Sequence, residues 1–249
     1  MKRLPLLPRT ILLITLFLIK PVFLFAALSE THISVDNNSA TTVSEQYIAT
    51  DASLVAVLAA ENNGQLMKAL SLTKTLFKND QGHMLTRIYY GRLLVKTGKS
   101  KQAIVVLQPL ARESTQDWRP WFWLGTAQLL EGELDNAAFS LDEALAREGD
   151  VISLWVQRAI VEQERGEPVV ALHLLQVADA IVPGNTDVMI NYAYASELSG
   201  DIKKAEYMYK RFLQLTASTP KYGRLRSYIF YRLSQFVKAN KETVALDDK

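Results

Sequence analysis

The sequence predicts an all-α solenoid of five stacked helix hairpins, followed by one further helix. Three observations predict it. Glycines recur every 34 residues, at Gly64, Gly98, Gly132, Gly166 and Gly200. Each is followed at the same distance by an alanine: Ala69, Ala103, Ala137, Ala171 and Ala205. On both sides of the glycines, apolar residues repeat with helical rather than strand spacing. A fixed period of this size marks stacked arrays, in which one hairpin cannot bury its apolar face alone but neighbours share a continuous core.

The chain opens on a targeting segment. Lys2, Arg3 and Arg9 precede an apolar run from Ile11 to Ala27, and Ala27, Leu28 and Ser29 form a small-x-small cleavage site. Residues 1–29 are expected to be a cleaved signal peptide or an uncleaved signal anchor. Lys20 and Pro21 interrupt the run, and a charge at mid-membrane costs about 2.5–3.5 kcal/mol on insertion scales, which favours cleavage. The next basic residue after Lys20 is Lys68, so the body is expected beyond the membrane. It would be periplasmic or exported, or held at the inner membrane by a tether through residues 11–28, and the style of the segment is that of a bacterial envelope protein. With no cysteine there is neither a disulfide nor a lipobox. Four of the 28 Lys and Arg lie in the leader, leaving 24 against 26 Asp and Glu. So near-neutral a body is expected to give no electrostatic footprint for nucleic acid.

Residues 30–49 are rich in Ser, Thr and Asn and read as a polar linker. Asn37, Asn38 and Ser39 match a glycosylation sequon, taken as a chance match in a polar stretch. Five units then run without insertion: 50–83, 84–117, 118–151, 152–185 and 186–219. In the third, Trp121, Leu124, Gly125 and Gln128 share one face of a first helix; in the fifth, Met189, Tyr192, Ala193 and Ser196 do. The recurring glycine takes φ > 0 without a Cβ clash, closes the first helix and turns the chain. Ala137, Leu141 and Ala144 lie on one face of the second helix, where the small alanine lets the two backbones approach.

Trp121, Leu124 and Gly125 followed by Ala137 and Leu141 resemble the tetratricopeptide repeat (TPR) signature, and Trp155, Ala171, Ala178 and Pro183 match it in the fourth unit. The resemblance covers about two thirds of the chain. It implies a right-handed superhelical solenoid whose first helices line the concave face. Departures from the pattern are Ser53 and Thr73, small where bulk is expected, so the first unit is expected to be loose. Pro109 lies inside a second helix and predicts a kink over Val105 to Pro109, whereas Pro120 and Pro168 fall in first turns, Pro120 behind the cap Asp117. After the array, residues 220–240 predict a capping helix, with Thr219 as cap, Pro220 at the first position, an apolar stripe of Leu225, Ile229, Leu233 and Phe236, and Arg224, Arg232 and Lys238 facing solvent. Residues 241–249 read as a charged tail.

His32, His83 and His173 form no ligand pair, and Glu162, Glu164 and Glu167 read as solvated helix surface. No phosphate loop, nucleophile elbow or dinucleotide turn is present, so neither an enzyme nor a cofactor or metal is expected. The resemblance implies a partner groove at fixed places of each unit. The fifth places are Leu54, Ile88, Phe122, Val156 and Ile190; the ninth are Leu58, Arg92, Thr126, Ile160 and Tyr194; the twelfth are Glu61, Val95, Leu129, Gln163 and Glu197. These predict a mostly apolar floor for an apolar or amphipathic peptide or helix. The family's carboxylate-gripping Lys and Asn are missing, so no such clamp is expected. Trp121 is expected in the core, Trp123 is open between core and groove, and Phe122 is expected at the groove, where truncation would weaken binding without unfolding the array. Arg92, Glu61 and Glu197 are candidates to meet across units. The expected function is a scaffold in assembly of a pilus, secretion or exopolysaccharide system. The alternatives are a polysaccharide- or peptidoglycan-associated module or a cytochrome c maturation factor.

Overall fold

A computed structural model describes residues 52–79 and 83–247. The leader, the linker with Asn37 and His32, and the last two residues lie outside them. Eleven α-helices and no strand occur among the described residues. The hairpins pair α1 (Ala52–Asn62) with α2 (Leu66–Asn79), α3 (Met84–Lys96) with α4 (Ser100–Glu113), and α5 (Arg119–Leu130) with α6 (Leu134–Arg147). They continue with α7 (Ile152–Arg165) and α8 (Pro168–Ile181), then α9 (Thr186–Leu198) and α10 (Ile202–Leu215). A second compact unit begins at Thr216. It holds a 3-10 turn, Pro220–Tyr222, and α11 (Gly223–Asp247).

The five recurring glycines are the hairpin corners. All have positive φ: 71° at Gly64, 74° at Gly98, 78° at Gly132, 81° at Gly166 and 86° at Gly200. A Cβ built on any of them would meet no atom within 4 Å, so backbone conformation and not crowding requires glycine there. Each corner closes in the same way. The Gly132 N–H donates to the Leu129 carbonyl at 3.0 Å and the Glu133 N–H to the Gln128 carbonyl at 2.9 Å, with matching pairs at the other four corners. These are the paired bonds of a Schellman closure, which satisfy carbonyls orphaned by the helix end.

Inside each hairpin the five alanines are fully covered, at 0% exposure. Gly91 and Gly125 sit opposite the second helix; a Cβ on Gly125 would lie 2.8 Å from Leu141 Cγ and 3.1 Å from the Ala137 carbonyl oxygen. Here the absence of a side chain is what lets the helices touch. Each second helix also packs on the first helix of the next unit, and first helices touch along α3, α5, α7 and α9. The array is therefore layered, with first helices forming a continuous inner layer.

Pro109 lies inside α4, as its place in the unit predicts, and its side chain is exposed. Other local expectations change. Thr73 fills its place in the first unit fully buried, its hydroxyl donating to the Ala69 carbonyl at 2.8 Å. Asp117 does receive the Arg119 N–H at 2.9 Å, but its carboxylate also pairs with the Arg119 guanidinium. Thr219 makes no side-chain cap, because Pro220 opens a 3-10 turn and the regular helix starts only at Gly223. That helix continues to Asp247, so most of the expected tail is helical. Within the C-terminal unit Leu225 and Ile229 are buried, Leu233 and Phe236 half-buried, and the Arg226 guanidinium donates to the carbonyls of Thr216 at 2.5 Å and Thr219 at 2.7 Å.

Candidate functional site

The inner layer holds the residues expected to form the groove, and it covers most of them. Leu54, Ile88, Phe122, Thr126, Val156, Ile160 and Ile190 are all buried, Phe122 at 1% exposure and Thr126 at 0%. Of the twelfth places Val95, Leu129 and Gln163 are buried too, which leaves Leu58, Glu61, Arg92, Tyr194 and Glu197 half-buried. The expectation that Phe122 offers contact surface is thereby corrected. Its ring lies edge-on to Trp118 at 5.9 Å and to Trp123 at 4.9 Å, and Trp121 and Trp123 are core residues with it. The physical reason is that α5 is enclosed by its own second helix, the preceding one and neighbouring first helices, leaving no open face along most of its length.

Two of the three charges proposed to meet do so. Glu61 on α1 accepts from the Arg92 guanidinium at 2.6 Å and from Lys96 Nζ at 2.7 Å, both on α3. Glu197 instead accepts the Tyr209 hydroxyl at 3.0 Å within its own hairpin. The Arg92 guanidinium also lies 5.3 Å from the Tyr89 ring centroid and 5.7 Å from that of Trp123, within cation–π range. One carboxylate, two cations and two rings thus join three units. Burial pushes the Glu61 carboxyl up, but Arg92 and Lys96 outweigh it and hold its pKa below the ordinary value. Burial and the Arg92 charge lower that of Lys96, and burial raises that of the Tyr89 phenol. The Glu61 side chain is only 7% exposed. Its Oε2 and the Arg92 Nε are buried without a hydrogen-bond partner, as is the Gln157 Oε1 further along the layer.

Tyr89 and Lys96 were missed from sequence, and Trp123 was left open, because they fall at places outside the five-nine-twelve pattern. A usable signal exists: Glu61 to Arg92 and Arg92 to Trp123 are both 31 apart, one period less one short helical step. The fourth and fifth units join through amides, with Gln163 Nε2 donating to the Asn191 carbonyl at 3.1 Å. Glu162, expected in solvent, is 4% exposed and accepts from Arg158 and from Arg165, which also holds Asp135 at 2.7 Å. His83 caps α3, its Nδ1 accepting the Thr86 N–H at 3.3 Å, and His173 is exposed on α8. Among the described residues no group of three His, Cys, Asp or Glu side chains is placed to hold a metal ion.

No family model matches the sequence and no curated protein matches it. Solved structures do match. The TPR protein TTC0263 of Thermus thermophilus superposes with a TM-score of 0.65 and 17% identity, over 72% of this chain and 97% of that one. The protein MamA gives 0.56 and 21%, over 69% and 98%. YrrB, described as a TPR protein with an unusual peptide-binding site, gives 0.51 and 16%, over 73% and 94%. With the corners, the covered alanines and the layered first helices, these likenesses show that the chain has the tetratricopeptide-repeat fold.

Proposed function

We propose that the chain is a non-catalytic protein–protein interaction scaffold of the bacterial cell envelope. It holds an apolar or amphipathic peptide or helix against the first-helix layer, in assembly of a pilus, secretion or exopolysaccharide system. Leu58, Arg92 and Tyr194 are the contact residues, and Leu54, Ile88, Phe122, Thr126, Val156, Ile160 and Ile190 are the floor that positions them. The observation that carries this reading is that the first-helix layer leaves Leu58, Arg92 and Tyr194 half-buried above buried apolar neighbours, with Arg92 held by Glu61 beside Lys96. A layer of that kind offers an amphipathic segment both apolar and charged contact. The leader read from the sequence supports the envelope setting.

Photoreactive residues at positions 58 and 194 in living cells test the reading, with position 105, which is exposed on a second helix, as the control. One shared adduct from 58 and 194 but not from 105 is expected. Adducts that form equally from all three, or only from 105, would overturn it.

A further inference from the structure

The near-neutral total conceals three blocks of charge. From Ala52 to Arg112 nine basic residues stand against two acids, Glu61 and Asp80. From Glu113 to Asp201 there are 16 acidic residues and four basic ones. From Lys203 to Lys241 there are ten basic residues and one acid, Glu206, which is itself paired with Lys210 at 2.6 Å. This last stretch also leaves large apolar side chains in solvent. On α10 these are Tyr207 at 56% exposure and Leu215 at 55%; on α11 they are Phe230 at 61%, Tyr231 at 52% and Val237 at 54%.

On α11 the two features share one arc. Leu225, Ile229, Leu233 and Phe236 make the covered stripe. Phe230 and Val237, seven residues apart, lie together on the uncovered side. Tyr231 falls with Arg224 and Lys238, seven residues to either side of it, and both of those cations are exposed. Ser227 and Ser234 lie between the two groups, and no carboxylate occurs on the helix before Glu242. Exposed aromatic and apolar side chains flanked by Lys and Arg are the composition of a helix lying in a membrane interface, where rings enter the headgroup layer and cations meet anionic lipid.

We propose that the C-terminal basic segment, through the exposed arc of α11, docks on an anionic lipid surface. The occupant is chosen by charge complementarity and by the expected leader, which would bring the chain to a membrane; the proposal rests on that reading to this extent. A single apolar anchor binds reversibly, and a second basic contact makes attachment firm. The α11 helix would then supply a lipid contact independent of the expected leader.

The chain has no cysteine, so Val237→Cys offers one site for an environment-sensitive fluorophore. The full chain carrying it is reconstituted with phosphatidylcholine vesicles, with and without a third of phosphatidylglycerol. Flotation with phosphatidylcholine alone reports the leader as an anchor. The probe reports α11 separately: with phosphatidylglycerol its emission should shift to the blue and be quenched by lipid-borne spin labels, and both effects should vanish in high salt. Arg224→Glu with Lys238→Glu should weaken the probe's response roughly tenfold or more while leaving flotation on phosphatidylcholine unchanged. A probe that stays in water on phosphatidylglycerol, or responds equally to both lipids, would overturn the proposal whether or not the chain floats. The arc would then be left to an acidic protein.

Discussion

Gly91→Ala sets two effects of opposite sign against each other. In an exposed helix interior the change gains about 0.8–1 kcal/mol of helix propensity. In α3 the new Cβ would collide with Leu107 Cδ2 and stand 2.5 Å from its Cγ and 2.9 Å from its Cδ1. Leu107 has no exposed surface, so the collision involves the branch point of an enclosed side chain and is not relieved by a swing into solvent. Overpacking of this kind costs about 1–3 kcal/mol. The net expectation is a loss of roughly 1–2 kcal/mol. Leu107→Ala alone should lose about 2–5 kcal/mol by leaving a cavity. In the double variant the alanine at 91 occupies part of that cavity, so the combined loss should fall short of the sum by about 0.5–3 kcal/mol. Ala159, at the same place in the fourth unit and opposite Leu175, is fully buried without exposure at either residue; a methyl is therefore accepted where a hairpin is built around it. Urea unfolding followed by circular dichroism, with hydrogen exchange read over residues 84–117, measures the four states. A Gly91→Ala protein more stable than the parent, or strict additivity in the double variant, would refute the close approach of α3 and α4 at this point.

Three further expectations follow from the same contacts. Phe122→Ala should destabilise the array by about 3–5 kcal/mol, seen as a lower unfolding midpoint; an unchanged midpoint would return Phe122 to the surface. Gly132→Ala, at φ +78° with nothing within 4 Å, should lose about 1–2 kcal/mol from the left-handed backbone alone, and Gly132→Asn should lose less, because Asn tolerates that conformation. The folded pKa of Glu61 is lowered, so its stabilisation is complete above the unfolded value of about 4.3 and is lost as pH falls through the folded one. Glu61→Gln should lower stability at pH 6 and flatten the acid limb of a midpoint-against-pH curve, and parallel acid limbs in the two proteins would show that Glu61 is not coupled to Arg92 and Lys96.

What can be read from the sequence divides by where a residue's partners lie. Gly132, Ala137 and Leu141 answer to contacts inside one 34-residue unit, so the period exposes them directly. Phe122 answers to several helices at once. Spacing tells which residues share its face but not which layer covers that face, and a first helix in mid-array is covered on nearly every side. Glu162 sits among acids that suggest solvent, yet Arg158 four residues before it and Arg165 three after both turn onto it. Helical neighbours decided its place more than the composition around it did.

Net charge misleads for a related reason. In a compact globule, residues far apart in sequence mingle on one surface, and a sum near zero describes most patches. In an array each unit touches only its neighbours, so a block of like charge along the chain remains a block in space. The acids from Glu113 to Asp201 stay between the end of α4 and the turn after α9; the lysines and arginines after Lys203 stay on α10 within the array and, within the C-terminal unit, on α11 and the turn before it. The quantity that governs what such a protein attracts is therefore charge per unit, and here it changes sign twice along the described chain, first near Glu113 and again near Lys203. Raising the ionic strength should weaken contacts made by the acidic and basic blocks alike, although the total charge would predict almost no salt dependence.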